Sequence, residues 1–248
     1  MKILFLGYDK SKTSLIDFLE QLGHTVTHTS NKISADYVSK FDFVISFGYR
    51  YIIKSDVIKV CNGKLINLHI SFLPYNRGSH PNFWSFYENT PAGVTIHLID
   101  VGLDTGDILL QKKCNFNIEA ETFSSTYNKL IFEIEDLFKS NINRILSCKI
   151  IPQKQQGNGT YHKSSDLPYS ISWNTNIKQF LEMKKRTDED IINDIQQIRA
   201  KNNVNWMDAV RLCFELDSER ARKIFKDIKD CDAKINELTE ELANNEKN

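Results

Sequence analysis

No run in this 248-residue sequence approaches the ~20 consecutive apolar residues that a membrane-spanning helix needs. The early apolar stretch, in "MKILFLGYDKSK", is short and breaks into charge. A secretory signal needs a longer run, so a first β-strand is expected there, with a cytoplasmic location and no membrane partner. Neither sign of charge is in excess, 32 Lys and Arg facing 32 Asp and Glu. A non-specific nucleic-acid binder would show a basic surplus or patch, so nucleic acid is not an expected partner. The five cysteines, Cys61, Cys114, Cys148, Cys213 and Cys231, are odd in number and form no C-x-x-C pair. They read as reduced thiols in a cytoplasm. The six histidines include no H-E-x-x-H, and His24 and His28 lie in a strand-like segment where a spacing of four gives little convergence. No metal is expected. After the first strand comes "GYDKSKTS", with a single glycine where a dinucleotide fingerprint has three. Lys10 and Lys12 beside the next helix start suit either a phosphate or a solvated turn.

What is present alternates regularly. "KILFLG" suits a buried strand, and "KTSLIDFLEQLG" places Leu15, Phe18, Leu19 and Leu22 at helical spacing, with Gly23 positioned to end the helix. "HTVTHTS", "FDFVISFG" and "GKLINLH" read as further strands, with "KSDVIKV" a short helix between the last two. This alternation implies a Rossmann-like, mostly parallel α/β sheet with helices on both faces. A helix around 81–89, strands in "AGVTIHLID" and "GDILLQKKCNF", and a long amphipathic helix over about 121–147 follow. Residues 152–174 are rich in Gly, Pro, Ser and Asn and mark a boundary. The expected domains are 1–150, a linker and loop region over 151–186, and a smaller, mainly helical region over 187–248. Thr187 with Asp188, Glu189 and Asp190 looks like a helix N-cap and acidic first turn. In the last helix, Ala221, Ile224, Ile228, Cys231, Ile235, Leu238 and Leu242 recur every three or four residues. That seam suits a second helix, either from a homodimer partner or from the same chain.

Two segments carry chemistry. In "INLHISFLPYNRGSH", Asn67 and His69 share one face at the carboxyl end of a strand, where open α/β sheets bind ligands. An amide donor and an imidazole aimed at one spot suit acyl transfer, or form a structural hydrogen-bonded pair. In "GVTIHLIDVGLDTGDILLQ", Asp100 and Asp104 bracket a loop that Gly102 and Gly106 allow to turn tightly, and Asp104 is placed to hold the His69 ring.

Together, "NLHISFLPYNRG" and the later "DVGLDTG" loop resemble the formyltransferases that use N10-formyltetrahydrofolate, over roughly residues 1–150. The resemblance implies a catalytic triad on Asn67, His69 and Asp104, and no metal. It also implies pterin contacts from Arg50, Tyr51, Ile52 and Ile53 in "FGYRYII", and from Asp100, Val101, Gly102 and Leu103 opposite. The stretch "YNRGSHPNFWSFYENTPAGVTIH" looks like the branch that formylates amino sugars carried on a nucleotide. That branch implies a thymidine-diphosphate-linked 3- or 4-amino-6-deoxyhexose and a role in surface polysaccharide (O-antigen) synthesis. The G-S-G-S-N phosphate loop of glycinamide ribonucleotide formyltransferases is missing, and the charge-mixed helical appendage differs from the basic β-barrel of methionyl-tRNA formyltransferases. Candidate substrate contacts are Lys10, Tyr75, Arg77, Gly78, His80, Asn82, Trp84, Tyr161 and Lys163. Structural roles compete at each: a brace for Arg77, a core anchor for Trp84, a polar loop for Tyr161 and Lys163. The alternatives to a sugar formyltransferase are a formyltetrahydrofolate hydrolase and a non-catalytic assembly protein.

Overall fold

The computed structural model describes residues 1–167, 171–184, 196, 199 and 205–243. The chain divides into two compact units, 1–184 and 185–248.

In the first unit, β1 (Lys2–Gly7), α1 (Leu15–Gln21), β2 (Thr25–Thr29), α2 (Ala35–Val38), β3 (Phe43–Phe47), α3 (Ser55–Cys61) and β4 (Leu65–His69) alternate as expected. The short β5 (Arg77–Gly78), α4 (Pro81–Tyr87), β6 (Gly93–Leu98), β7 (Ile108–Lys113) and α5 (Phe123–Leu146) follow. The six-stranded sheet has the order β2-β1-β3-β4-β6-β7. Pairings from β2 to β4 are parallel, and those of β4 with β6 and β6 with β7 are antiparallel. The mostly parallel sheet read from the sequence is thus present, with an antiparallel pair closing one side.

Both faces are covered, which explains why β1 and β3 are apolar at nearly every position. Ile3, Phe5, Ile45 and Ile66 pack with Leu15 and Leu19 of α1 and with Leu130, Ile134 and Phe138 of α5. The alternate residues Leu4, Leu6, Val44 and Leu65 pack with Val38, Val57 and Cys61 on the opposite face. Helix α5 starts at a capping box, in which Thr122 accepts from the Ser125 N–H and Ser125 Oγ accepts from the Thr122 N–H.

The described residues of 151–186, expected to be a linker and substrate-side loop region, belong to the first unit as far as Lys184. Gln153 bridges to Ile108, β8 (Tyr161–His162) pairs with β5, and Asn176 bridges to Thr122. Helix α6 (Ile177–Lys184) buries Ile177 and Phe180 against Phe83, Trp84 and Phe123. These apolar side chains anchor the segment to α4 and α5, which its Gly- and Ser-rich first half conceals.

In the second unit, residues 205–216 and Ser218–Ala243 are helical. Phe225 stacks on Phe214 at 5.7 Å and meets Trp206 edge-on at 6.5 Å. The expected cap at Thr187 lies outside the described residues. Among the described residues, no helix is long and apolar enough to cross a membrane.

Candidate active site

Strand β4 ends in Asn67-Leu68-His69, and antiparallel β6 sets His97 directly opposite Asn67. Beyond His69 the chain turns back sharply. Thr95 Oγ1 donates to the Ser71 carbonyl (2.6 Å), and Gln111 Nε2 donates to the carbonyl of Leu73 (2.7 Å). The backbone N–H of Asn76 donates to Thr160 Oγ1 at 2.8 Å. These bonds hold the Asn76 carbonyl 3.3 Å from His69 Nε2.

Asp104 enters from the loop after β6, with a left-handed backbone at φ 52°. Its Oδ1 accepts from Asn67 Nδ2 at 3.1 Å, and its Oδ2 accepts from the backbone N–H of Gly78 at 2.9 Å. The two imidazoles flank it, His97 Nε2 at 3.5 Å and His69 Nε2 at 3.7 Å. Burial opposes the Asp104 charge. The His69 ring first, then the neighbouring His97 ring and the Gly78 N–H, overcome that penalty and hold the carboxyl well below the usual carboxylate range. Burial also pushes His69 below its ordinary value, against the pull of Asp104, so its ring is neutral at neutral pH.

The tautomers follow from the partners. His97 Nδ1 lies 2.7 Å from the Leu98 carbonyl and donates to it, which leaves Nε2 to accept from Asn67 Nδ2 at 3.2 Å. His69 Nε2 donates to the Asn76 carbonyl, which leaves Nδ1 as the basic nitrogen.

Two cavities flank this cluster. A small one, about 150 Å³, is lined by Asn67, His97 and Asp104 together with Ser46, Tyr49, Tyr51, Ile52, Ile53 and Asp100 to Leu103. A larger one, about 510 Å³, is lined by His69 and Gly78 and by His80, Asn82, Tyr127, Asn128 and Trp173 among others.

The sequence-derived residues divide accordingly. Asn67, His69 and Asp104 come together, and Tyr51, Ile52, Ile53, Asp100, Val101, Gly102 and Leu103 share one cavity. Arg50 does not join them: it lines an adjoining recess beside Asp9, Lys12 and His28. Gly78, His80 and Asn82 face the larger cavity, where the His80 ring stacks on Trp173 at 5.6 Å. The buried Oδ1 of Asn82 meets no donor among the described residues, while its Nδ2 donates to the Phe123 carbonyl at 2.9 Å.

The other candidates sit elsewhere for visible reasons. Lys10 pairs with Asp17 and Glu20 at the exposed edge of α1. Arg77 donates to Gln155 Oε1 at 2.6 Å and braces the loop. Trp84 is core, stacked on His162 at 3.9 Å. Tyr75 turns its carbonyl to Ser71 Oγ, and exposed Tyr161 covers Gly78. Lys163 caps a short turn closed by Asp166.

His97 was the principal omission. Its signal was the odd–even pattern of "GVTIHLID" laid beside "INLH", which becomes readable only once β4 and β6 are known to pair. Tyr8 and Tyr127, joined through their hydroxyls at 2.8 Å across the larger cavity, carried no local signal.

The covered sheet and the amide–imidazole–carboxylate cluster between two cavities define an α/β domain built for acyl-group transfer. Residues 19–141 match the formyl transferase family. The chain is 40% identical to the formyltransferase PseJ from Anoxybacillus kamchatkensis, covering 72% of this chain and 97% of that one with a TM-score of 0.68. That structure was solved with UDP-4,6-dideoxy-4-formamido-L-AltNAc and tetrahydrofolate. The N-formyltransferase from Helicobacter canadensis, solved with folinic acid and dTDP-3-aminofucose, shares the fold at 23% identity and a TM-score of 0.58, over 69% of this chain and 74% of that one. The methionyl-tRNA formyltransferase of Clostridium novyi (strain NT) is 35% identical over 124 residues, 50% of this chain and 40% of that protein. The chain thus spans less than half the length of that curated relative. It belongs to the formyltransferase family.

Proposed function

We propose that the chain transfers the formyl group of N10-formyltetrahydrofolate to the amine of a nucleotide-linked amino-deoxy sugar in the cytoplasm, as a step toward surface polysaccharide. The observation that carries this reading is the pair of cavities on either side of the Asn67, His69 and Asp104 cluster. The small cavity, walled by Tyr51 to Ile53 and Asp100 to Leu103, takes the pterin. The larger one, of a size usual for a ligand site, takes the sugar and its nucleotide. The relative with 40% identity was solved with a UDP-linked 4-formamido sugar, which favours uridine diphosphate over the thymidine handle expected from the sequence.

In the transfer, the sugar nitrogen attacks the formyl carbon and a C–N bond forms. The negative charge on the formyl oxygen is met by Asn67, which keeps one N–H on Asp104 and turns the other from His97 to the oxygen. Neutral His69 takes the amine proton, and the Asp104 carboxylate stabilises the resulting imidazolium. The bond from carbon to N10 then breaks, and the proton returns to N10, releasing tetrahydrofolate.

The test is to follow tetrahydrofolate release with uridine- and thymidine-diphosphate-linked 3- and 4-amino-6-deoxyhexoses, and to weigh the sugar product for one added formyl group. Release without sugar identifies a hydrolase. Formylation of methionyl-tRNA instead of any sugar, or no release under any condition, overturns the reading.

A further inference from the structure

The helix Ser218–Ala243 presents an uncovered apolar stripe. Ile224, Ile228, Ile235 and Leu238 are 48%, 36%, 58% and 64% exposed, and Cys231 between them is exposed as well. The contacts that Phe225 makes with Phe214 and Trp206 lie beside this stripe and do not cover it. The stripe follows a heptad: Ile228 and Ile235 stand at position a and Ile224, Cys231 and Leu238 at position d, while Ala221, the preceding a residue, is buried within the chain.

What covers it is indicated by the charges beside it. The residue preceding each a position, position g, is in turn Arg220, Asp227, Lys234 and Glu241, an alternation of sign. In an antiparallel helix pair, a faces d and g faces g. Setting Ile228 against Cys231 of a second copy also sets Ile224 against Ile235. In that register Asp227 meets Lys234 and Arg220 meets Glu241, each twice by symmetry, and every g pair is attractive. Sliding one helix by a heptad in either direction produces only like pairs, such as Asp227 on Asp227 with Arg220 on Lys234. A parallel pair fares no better, because g then faces e of the next heptad and Asp227 meets Asp232.

We propose that this helix is a homodimerisation element, joining a second copy of the chain antiparallel in that one register. The proposal is independent of the reaction catalysed.

The test uses the full chain in sedimentation equilibrium. The expected result is a dimer that Asp227→Lys weakens by about tenfold or more, because two attractive pairs become repulsive. Combining Asp227→Lys with Lys234→Asp restores the attraction, and with it the wild-type dissociation constant. These positions are exposed, so the helix content by circular dichroism stays constant. A monomer at tens of micromolar, showing that the stripe is covered within the chain, overturns the proposal. So does a dimer indifferent to Asp227→Lys, or one that the double exchange does not rescue.

Discussion

Asp104→Asn removes a charge while keeping the shape of the side chain, and the geometry sets what that costs. Its two oxygens accept from Asn67 Nδ2 and from the Gly78 N–H, at 3.1 and 2.9 Å. An asparagine offers one oxygen, so its own NH₂ must face one of these donors. The larger loss is electrostatic. At the 3.7 Å between Asp104 Oδ2 and His69 Nε2, a carboxylate attracts an imidazolium by roughly 4 kcal/mol at an effective dielectric of about 20. That attraction exists only after His69 has taken the proton, so its loss falls on turnover rather than on binding. At about 1.4 kcal/mol per factor of ten, the expected fall in kcat is on the order of a thousandfold. Initial-rate release of tetrahydrofolate measures it, with thermal unfolding as the control for folding. The variant also leaves burial of His69 unopposed, so the acid limb of its residual rate moves to lower pH. A kcat within about tenfold of wild type, with that limb unmoved, would refute the role given to the carboxylate.

Other outcomes follow from the same geometry. Because burial lowers the His69 pKa, kcat/KM rises with pH through a midpoint below the ordinary histidine value of about 6.5, and a midpoint above 7 contradicts a neutral base. The sign for stability is the same. The unfolded chain takes up the His69 proton first, so stability declines as pH falls through about 6.5, and His69→Gln flattens that decline in urea titrations. Asn82→Leu replaces a polar residue that lines the larger cavity, so KM for the nucleotide sugar rises while KM for the folate stays. Gln155→Ala lowers kcat by about tenfold or more and leaves KM for the sugar nearly unchanged, because it releases the Asp104 loop without touching the larger cavity.

Much of the sheet was legible because its signals are local. Strands β1 and β3 declare themselves by apolar runs, and α5 by buried residues recurring from Leu130 to Ile134 to Phe138. Asn67 and His69 were legible for the same reason, since two residues on one strand share a face whatever the strand pairs with. The larger cavity was not. Its walls come from Tyr8, Gly48, His80, Tyr127 and Trp173, on segments whose proximity depends on strand order and on residues 151–184 returning to the domain. Composition misled there, because the Gly- and Ser-rich half of that segment precedes the apolar anchors Ile177 and Phe180.

Arg77 shows how a residue found by pattern can carry two competing roles, a substrate contact and a structural brace. Its guanidinium is spent on Gln155 Oε1, which is the brace. The amide of Gln155 donates in turn to the carbonyls of Asp104 and Gly106, at 2.8 and 2.9 Å. Those bonds matter because the Asp104 backbone is left-handed at φ 52°, a conformation that costs a non-glycine residue about 1 kcal/mol or more. Close by, a Cβ on Gly106 would fall 1.8 Å from the Leu98 carbonyl oxygen, so the loop passes β6 more tightly than any side chain allows. The carboxylate reaches the two imidazoles only in this strained path. Arg77 therefore serves the reaction at two removes, by fixing the amide that fixes the loop that aims Asp104.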